Sequence, residues 1–74
     1  MTKNEKILTL VNDYGFEDAV EMCEAYITDS VAPSICMEPD CDYTTEMEPD
    51  ATEGWCEICN KNTVVSIFVL MEIM

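Results

Sequence analysis

Cys36-Met37-Glu38-Pro39-Asp40-Cys41, followed after fourteen residues by Cys56-Glu57-Ile58-Cys59, decides how this chain folds. Each segment brings two thiols together. The first does so across a turn holding Pro39 and Asp40, the second across a CxxC whose sulfurs can converge on one ion at about 2.3 Å. The spacer is long enough for one short strand and a return, so the two knuckles can face each other. In a chain with no histidine and no arginine, a shared metal ion is the chemistry these four cysteines serve best.

Length and redox context agree. A chain of 74 residues has too much surface for its volume to be stabilised generously by a hydrophobic core, so a staple is expected. The opening Met1-Thr2-Lys3-Asn4-Glu5-Lys6 leads into only a short apolar stretch with no small-residue cleavage site, which points to the cytoplasm. Paired cysteines in a reducing compartment hold metal or do redox work more often than they form structural disulfides, and the odd total of five argues the same way.

Charge narrows the function. Lys3, Lys6 and Lys61 stand against sixteen acidic residues, for a formal charge of -13 and a pI near 4.1. Phosphate backbones are held by clustered Lys and Arg, so direct nucleic-acid binding is disfavoured, and so is an anionic membrane surface. A basic protein surface is the favoured partner. Catalysis is not expected: acid-base work would fall to carboxylates or Lys61, which nothing groups, and four protein thiolates leave no open metal position. A thiol-disulfide oxidoreductase built on Cys56 and Cys59 lacks its usual strand-then-helix context.

The remaining pattern gives an α+β fold. Ile7, Leu8, Val11 and Tyr14 form an apolar stripe of a first helix, with a turn at Asn12-Asp13-Tyr14-Gly15. A second helix is expected from about Phe16 to Ile27, burying Phe16, Ala19, Val20, Cys23, Tyr26 and Ile27, with Cys23 a small buried hydrophobe rather than a fifth ligand. Asp29 to Pro33 reads as a linker, Asp42 to Met47 as a short strand, and Glu48 to Gly54 as an acidic turn. Asn60 or Asn62 is suited to a left-handed turn position. The apolar run from Val64 to Met74 reads as a strand with Val65, Ile67, Val69, Met71 and Ile73 on one face, or as a helix capped by Thr63; at about eleven residues it is too short to span a bilayer. The expected organisation is one domain over 1–74: a helical hairpin over 1–30, then a zinc-ribbon-like four-cysteine knuckle module over 31–74 with a small β-sheet.

Met-Glu-Pro-Asp occurs at Met37–Asp40 and again at Met47–Asp50. Turn chemistry explains it; a functional reading would pair Glu38, Asp40, Glu48 and Asp50 as an acidic surface gripping a basic groove. Trp55, Tyr43 and Met47 are the candidate apolar contacts, although a tryptophan beside a ligating cysteine, as Trp55 is beside Cys56, is more often a shield packed over the metal. Calcium at Asp40, Asp42 and Asp50 is a weaker idea, since no twelve-residue ligand loop is present.

The phrases Cys41-Asp42-Tyr43, Glu48-Pro49-Asp50 and Gly54-Trp55-Cys56 to Cys59 resemble a group of small, functionally unassigned zinc-ribbon-type proteins of bacteria and their phages, over roughly the second half of the chain. The resemblance implies a zinc-stabilised protein of the cytoplasm, the host's if phage-encoded, and supplies no activity. Cys-Asp-Tyr and Trp-Cys-x-x-Cys also look like rubredoxins, the iron electron carriers, but the x4 spacing, the short spacer and Asn60 depart from that family's pattern. The leading expectation is one zinc on Cys36, Cys41, Cys56 and Cys59 in an adaptor or modulator that docks on a basic partner, such as transcription or nucleic-acid machinery; the alternative is an Fe(Cys)4 electron carrier.

Overall fold

Two short helices precede a small antiparallel sheet in the computed structural model, which describes residues 2–72. Helix α1 spans Lys3–Tyr14 and α2 Ala19–Tyr26; the strands are β1 Ala32–Cys36, β2 Thr44–Met47, β3 Gly54–Cys56 and β4 Lys61–Ser66, and a single turn of helix, α3, covers Ile67–Leu70. The fold is therefore α+β.

Capping residues set the helix limits. Thr2 and Glu5 form a reciprocal capping box at the start of α1. Its end is a Schellman turn: Gly15, at φ 76°, donates to the Asn12 carbonyl, and the Phe16 N–H donates to Val11. Asn12, Asp13 and Tyr14 are therefore helical, not part of the turn. Asp18 caps α2 by accepting from the Glu21 N–H at 2.7 Å, so this helix begins at Ala19 rather than Phe16. Phe16 instead packs edge-on against Tyr26, which also meets Tyr14.

The buried stripes differ from the expected ones by one helical position. On α1, Lys6, Leu10 and Val11 are buried while Leu8 is exposed; on α2, Met22 and Cys23 are buried while Val20 and Ile27 are exposed. The spacing Ile7, Leu10, Val11, Tyr14 and the spacing Ala19, Met22, Cys23, Tyr26 are both i, i+3, i+4, i+7, the single face that short helices can press on a core. Cys23 is buried in that core as expected.

The sheet runs in the order β2-β1-β4-β3 with every pair antiparallel. Its central strand β1 corrects the linker reading, because Ala32 and Pro33 lie inside it and all five residues are buried. Pro33 is tolerated for a directional reason. Cys36 donates its N–H toward β2, to Tyr43, and Met37 toward β4, to Thr63. Alternation then points the Pro33 nitrogen toward β4, beyond the Ser34↔Ser66 pair where that ladder ends, so no hydrogen bond is lost.

The run after Val64 is neither all strand nor all helix. It is strand to Ser66 and helix from Ile67, the Ser66 side chain accepting from the Val69 N–H at 3.3 Å as N-cap and donating to the Pro49 carbonyl. Ile67, Phe68 and Leu70 consequently all enter the core, which they could not do as a strand. Ile73 and Met74 lie outside the described residues.

Period two places Ile35 and Val65 on one face of the sheet and Cys36 and Val64 on the other. The first face carries the main core, where the helices contribute Leu10, Val11, Met22, Cys23, Ile67, Phe68 and Leu70. The second carries a smaller cluster of Cys36, Cys41, Cys56 and Val64, with Tyr43, Met47 and Cys59 packed against it. Gly54 allows a close approach there, since a Cβ at that position would lie 3.1 Å from the Val64 Cβ and from the end of Met47, and these neighbours would have to shift by a few tenths of an ångström.

Candidate metal centre

Cys36 ends β1 and Cys56 ends β3, and because both strands run antiparallel to β4 their last residues lie at the same end of the sheet. Cys41 is carried there by the β1–β2 loop and Cys59 by the β3–β4 turn. All four Sγ atoms lie within 4.8 Å of one another, and among the described residues they are the one group of three or more metal-ligating side chains so placed. The carboxylates of Asp40, Asp42 and Asp50 form no such group, so nothing supports calcium. Cys36 and Cys59 approach to 3.8 Å, Cys41 and Cys56 to 3.7 Å. A disulfide needs roughly 2.05 Å, and all five cysteines are free. A tetrahedron with metal–sulfur bonds of about 2.3 Å has sulfur–sulfur edges of about 3.8 Å. Two of the six sulfur–sulfur separations thus match a tetrahedral edge and none exceeds 4.8 Å, so the cluster can hold a metal ion.

The two knuckles are closed by different means. In the second, the Cys59 N–H donates to Cys56 Sγ at 3.4 Å, the Asn60 N–H donates to the Cys56 carbonyl at 2.8 Å, and Asn60 takes the left-handed conformation at φ 56°. Backbone within four residues suffices. The first knuckle is a wider loop. Its Cys41 N–H donates to the Glu38 carbonyl at 3.1 Å, and α1 adds to the closure: Lys6 is wholly buried, with Nζ donating to the Glu38 carbonyl at 2.5 Å and to the Cys41 carbonyl.

Thr63 completes the inner shell. The β3–β4 register shifts between Gly54↔Val64 and Trp55↔Asn62, which leaves Thr63 as an extra residue on β4, and its Oγ1 lies 3.0 Å from Cys36 Sγ. A bulge re-aims a side chain in this way. Burial alone would raise the Cys36 thiol, but the Thr63 hydroxyl, the Glu38 backbone and the neighbouring Cys56 and Cys41 outweigh it and bring it down to about 7. Cys59 is pushed up to about 12, by desolvation and then by the three neighbouring cysteines. Cys41 is also raised: the Tyr43 backbone favours its thiolate, but burial and the Cys36 and Cys56 thiols prevail. Four close thiols cannot all ionise without a cation between them.

Residues expected to meet a partner are distributed along the sheet. Glu38 and Asp40 line an open groove of about 290 Å³ together with Pro39, Cys41, Ile58, Cys59 and Lys61. Glu48 and Asp50 follow the opposite end of β2, where Ser66 bonds to the Pro49 and Ala51 carbonyls, so the two Met-Glu-Pro-Asp turns flank opposite ends of the strand between them. Trp55 is 48% exposed and is not packed on the cysteines; Tyr43 and Met47, expected as surface contacts, supply that cover instead. Alternation along β3 explains it, since Trp55 and Cys56 are neighbours and project to opposite faces. Lys6 and Thr63 are absent from the sequence-derived site. Lys6 was legible only as a cation standing four residues before Leu10 on the apolar face; Thr63 carries no sequence signal.

Compared with protein-family models, with curated proteins and with solved structures, the chain matches none.

Proposed function

We propose that the chain is a small zinc protein whose Zn(Cys)4 centre is structural and whose acidic surface docks on a basic surface of another protein, within transcription or nucleic-acid machinery. The carrying observation is the convergence of four thiols within 4.8 Å of one another, two pairs of them at a tetrahedral edge length, in a chain of charge -13. All-thiolate tetrahedra suit zinc, and four protein ligands close the shell against water or substrate, which favours a fold-stabilising ion over a catalytic one. The distribution of lysine supports the acidic docking surface. Lys6 is buried, Lys61 is 3.4 Å from Glu38 and Lys3 is 3.9 Å from Glu72, so the outward field is dominated by carboxylates. Glu38, Asp40, Glu48, Asp50 and Trp55 are the proposed contacts, and the 68%-exposed Ile58 adds an apolar element to the groove.

Elemental analysis and a visible spectrum on protein purified without added metal test the centre. One zinc per chain without colour is expected; one iron with thiolate charge-transfer bands would replace this reading with a rubredoxin-like carrier, for which the partly exposed Cys59 would be the point of electron entry. Affinity capture tests the docking. The captured protein should be basic and released by salt and by Glu48→Lys with Asp50→Lys; capture indifferent to both would overturn the adaptor role.

A further inference from the structure

We propose that Lys6 is a positioning residue of the metal centre, closing the Cys36–Cys41 loop from α1 and supplying the positive charge that offsets the thiolate ligand set. The proposal rests on the metal reading of the four cysteines.

The two knuckles differ in how they are closed. The Cys56–Cys59 knuckle is held by its own N–H groups and by Asn60, whereas the six-residue Cys36–Cys41 loop, besides the turn bond from the Cys41 N–H to the Glu38 carbonyl and the Glu38 backbone's hydrogen bond to the Cys36 thiol, is tied from outside by α1. Lys6 Nζ joins the same two residues, Glu38 and Cys41, through their carbonyls. It therefore fixes the backbone that carries the Cys41 sulfur, at the knuckle with the wider spacing. Outer-shell donors that orient ligands in this way are worth roughly 10–100-fold in metal affinity.

Charge favours the same role for Lys6. A buried cation is costly unless paired, and among the described residues the two ion pairs involve Lys3 and Lys61, not Lys6. Its direct partners are carbonyl dipoles. Four thiolates around a divalent cation leave two net negative charges, and Lys6 stands against the backbone of one of the four ligands. The metal-loaded cluster is thus the counter-charge that this ammonium otherwise lacks, and the ammonium offsets a charge that the acidic chain would otherwise aggravate.

The test compares wild type, Lys6→Met, Lys6→Gln and a control, Leu10→Ala, which removes core volume from the same helix without touching the loop. Zinc affinity is measured by competition with a chromophoric chelator, and the reduction potential is measured on protein reconstituted with iron alone. Lys6→Met should still bind one zinc, roughly 10–100-fold more weakly, and its iron form should have a more negative potential, because the lost cation had favoured the more negative reduced state. Leu10→Ala should lower thermal stability and leave the potential in place. Lys6→Gln keeps a donor without the charge: part of the zinc affinity should return while the potential stays at the Lys6→Met value. If Lys6→Met does not fold with metal, Lys6→Gln provides both readouts. Wild-type zinc affinity with an unmoved potential in the Lys6 variants would overturn the proposal, leaving Lys6 as a space-filling side chain. Failure of the wild type to bind zinc or iron would instead overturn the metal reading beneath it.

Discussion

Thr63 Oγ1 lies 3.0 Å from Cys36 Sγ at the bulge where β4 carries an extra residue between the partners of Gly54 and Trp55. The two come from strands that pair directly, Cys36 standing opposite Val64, so a regular ladder would put Thr63 and Cys36 on different faces. The bulge delivers a hydroxyl donor to a sulfur that a cation or a proton must otherwise neutralise. Thr63→Val keeps the branched shape and removes the donor. The variant should bind metal in the same ratio, roughly tenfold more weakly, and the metal-free Cys36 thiol should move from about 7 back toward 9.0, read from ultraviolet thiolate absorbance against pH.

Metal and fold should be lost together at the sheet. Structural zinc contributes about 10–16 kcal/mol in zinc-finger peptides, against about 5–15 kcal/mol for the whole stability of a typical domain. Cys56→Ser or a strong chelator should therefore collapse amide dispersion from β1 to β4, while α1 and α2, too short to be stable alone, retain at most partial helicity. Native amide shifts in the metal-free protein would contradict this.

Acid should release the metal. The Cys59 thiol stands at about 12 and Cys41 is raised, so near neutral pH both hold protons that a binding ion must displace. Apparent zinc affinity should rise with pH across about 6 to 9, with proton release seen by calorimetry in buffers of different ionisation enthalpy. The metal-free protein should respond differently. Cys36, depressed from 9.0 to about 7, contributes stability that is present above 9.0 and lost as pH falls through about 7; Cys59, raised from 9.0 to about 12, contributes stability present below 9.0 and lost as pH rises through about 12. Thiol-linked stability without metal should therefore be greatest near pH 9, as a series of denaturant midpoints would report.

Cys23 separates core from centre. It is buried on α2 in the helical core, with its thiol raised by desolvation, and takes no part in the four-sulfur cluster. Cys23→Ala should leave the metal-to-chain ratio and affinity unchanged and cost about 1 kcal/mol of stability. A loss of metal in this variant would require a different ligand set.

Features written in local spacing were readable from the chain, and features that depend on a neighbouring strand were not. The CxxC of Cys56 and Cys59, a left-handed asparagine at Asn60 or Asn62 (it is Asn60) and the burial of Cys23 follow from a few consecutive residues. Strand β1 was hidden because Pro33 counts against a central strand unless the end of β4 is known. The change from strand to helix at Ser66 was hidden because Val64 to Met71 is apolar throughout except at Ser66 itself, which reads equally as a strand residue or a cap. Lys6 resisted for the opposite reason. Its carbonyl partner on Cys41 lies 35 positions away, and in so acidic a chain a lysine is naturally assigned to the surface.

The nitrogen of Pro33, aimed past the end of β4, also acts as a register lock. Were β1 to slide so that Pro33 came opposite Val65, the same strand face would be presented and the hydrophobic pattern would raise little objection, but the proline would sit where a donor is demanded and the ladder would have a hole. The slip would also carry Cys36 two residues away from Val64, roughly 7 Å along the strand, farther than any pair of the cluster's sulfurs are apart. A hydrogen bond that cannot form thus guards the alignment on which four sulfur atoms depend.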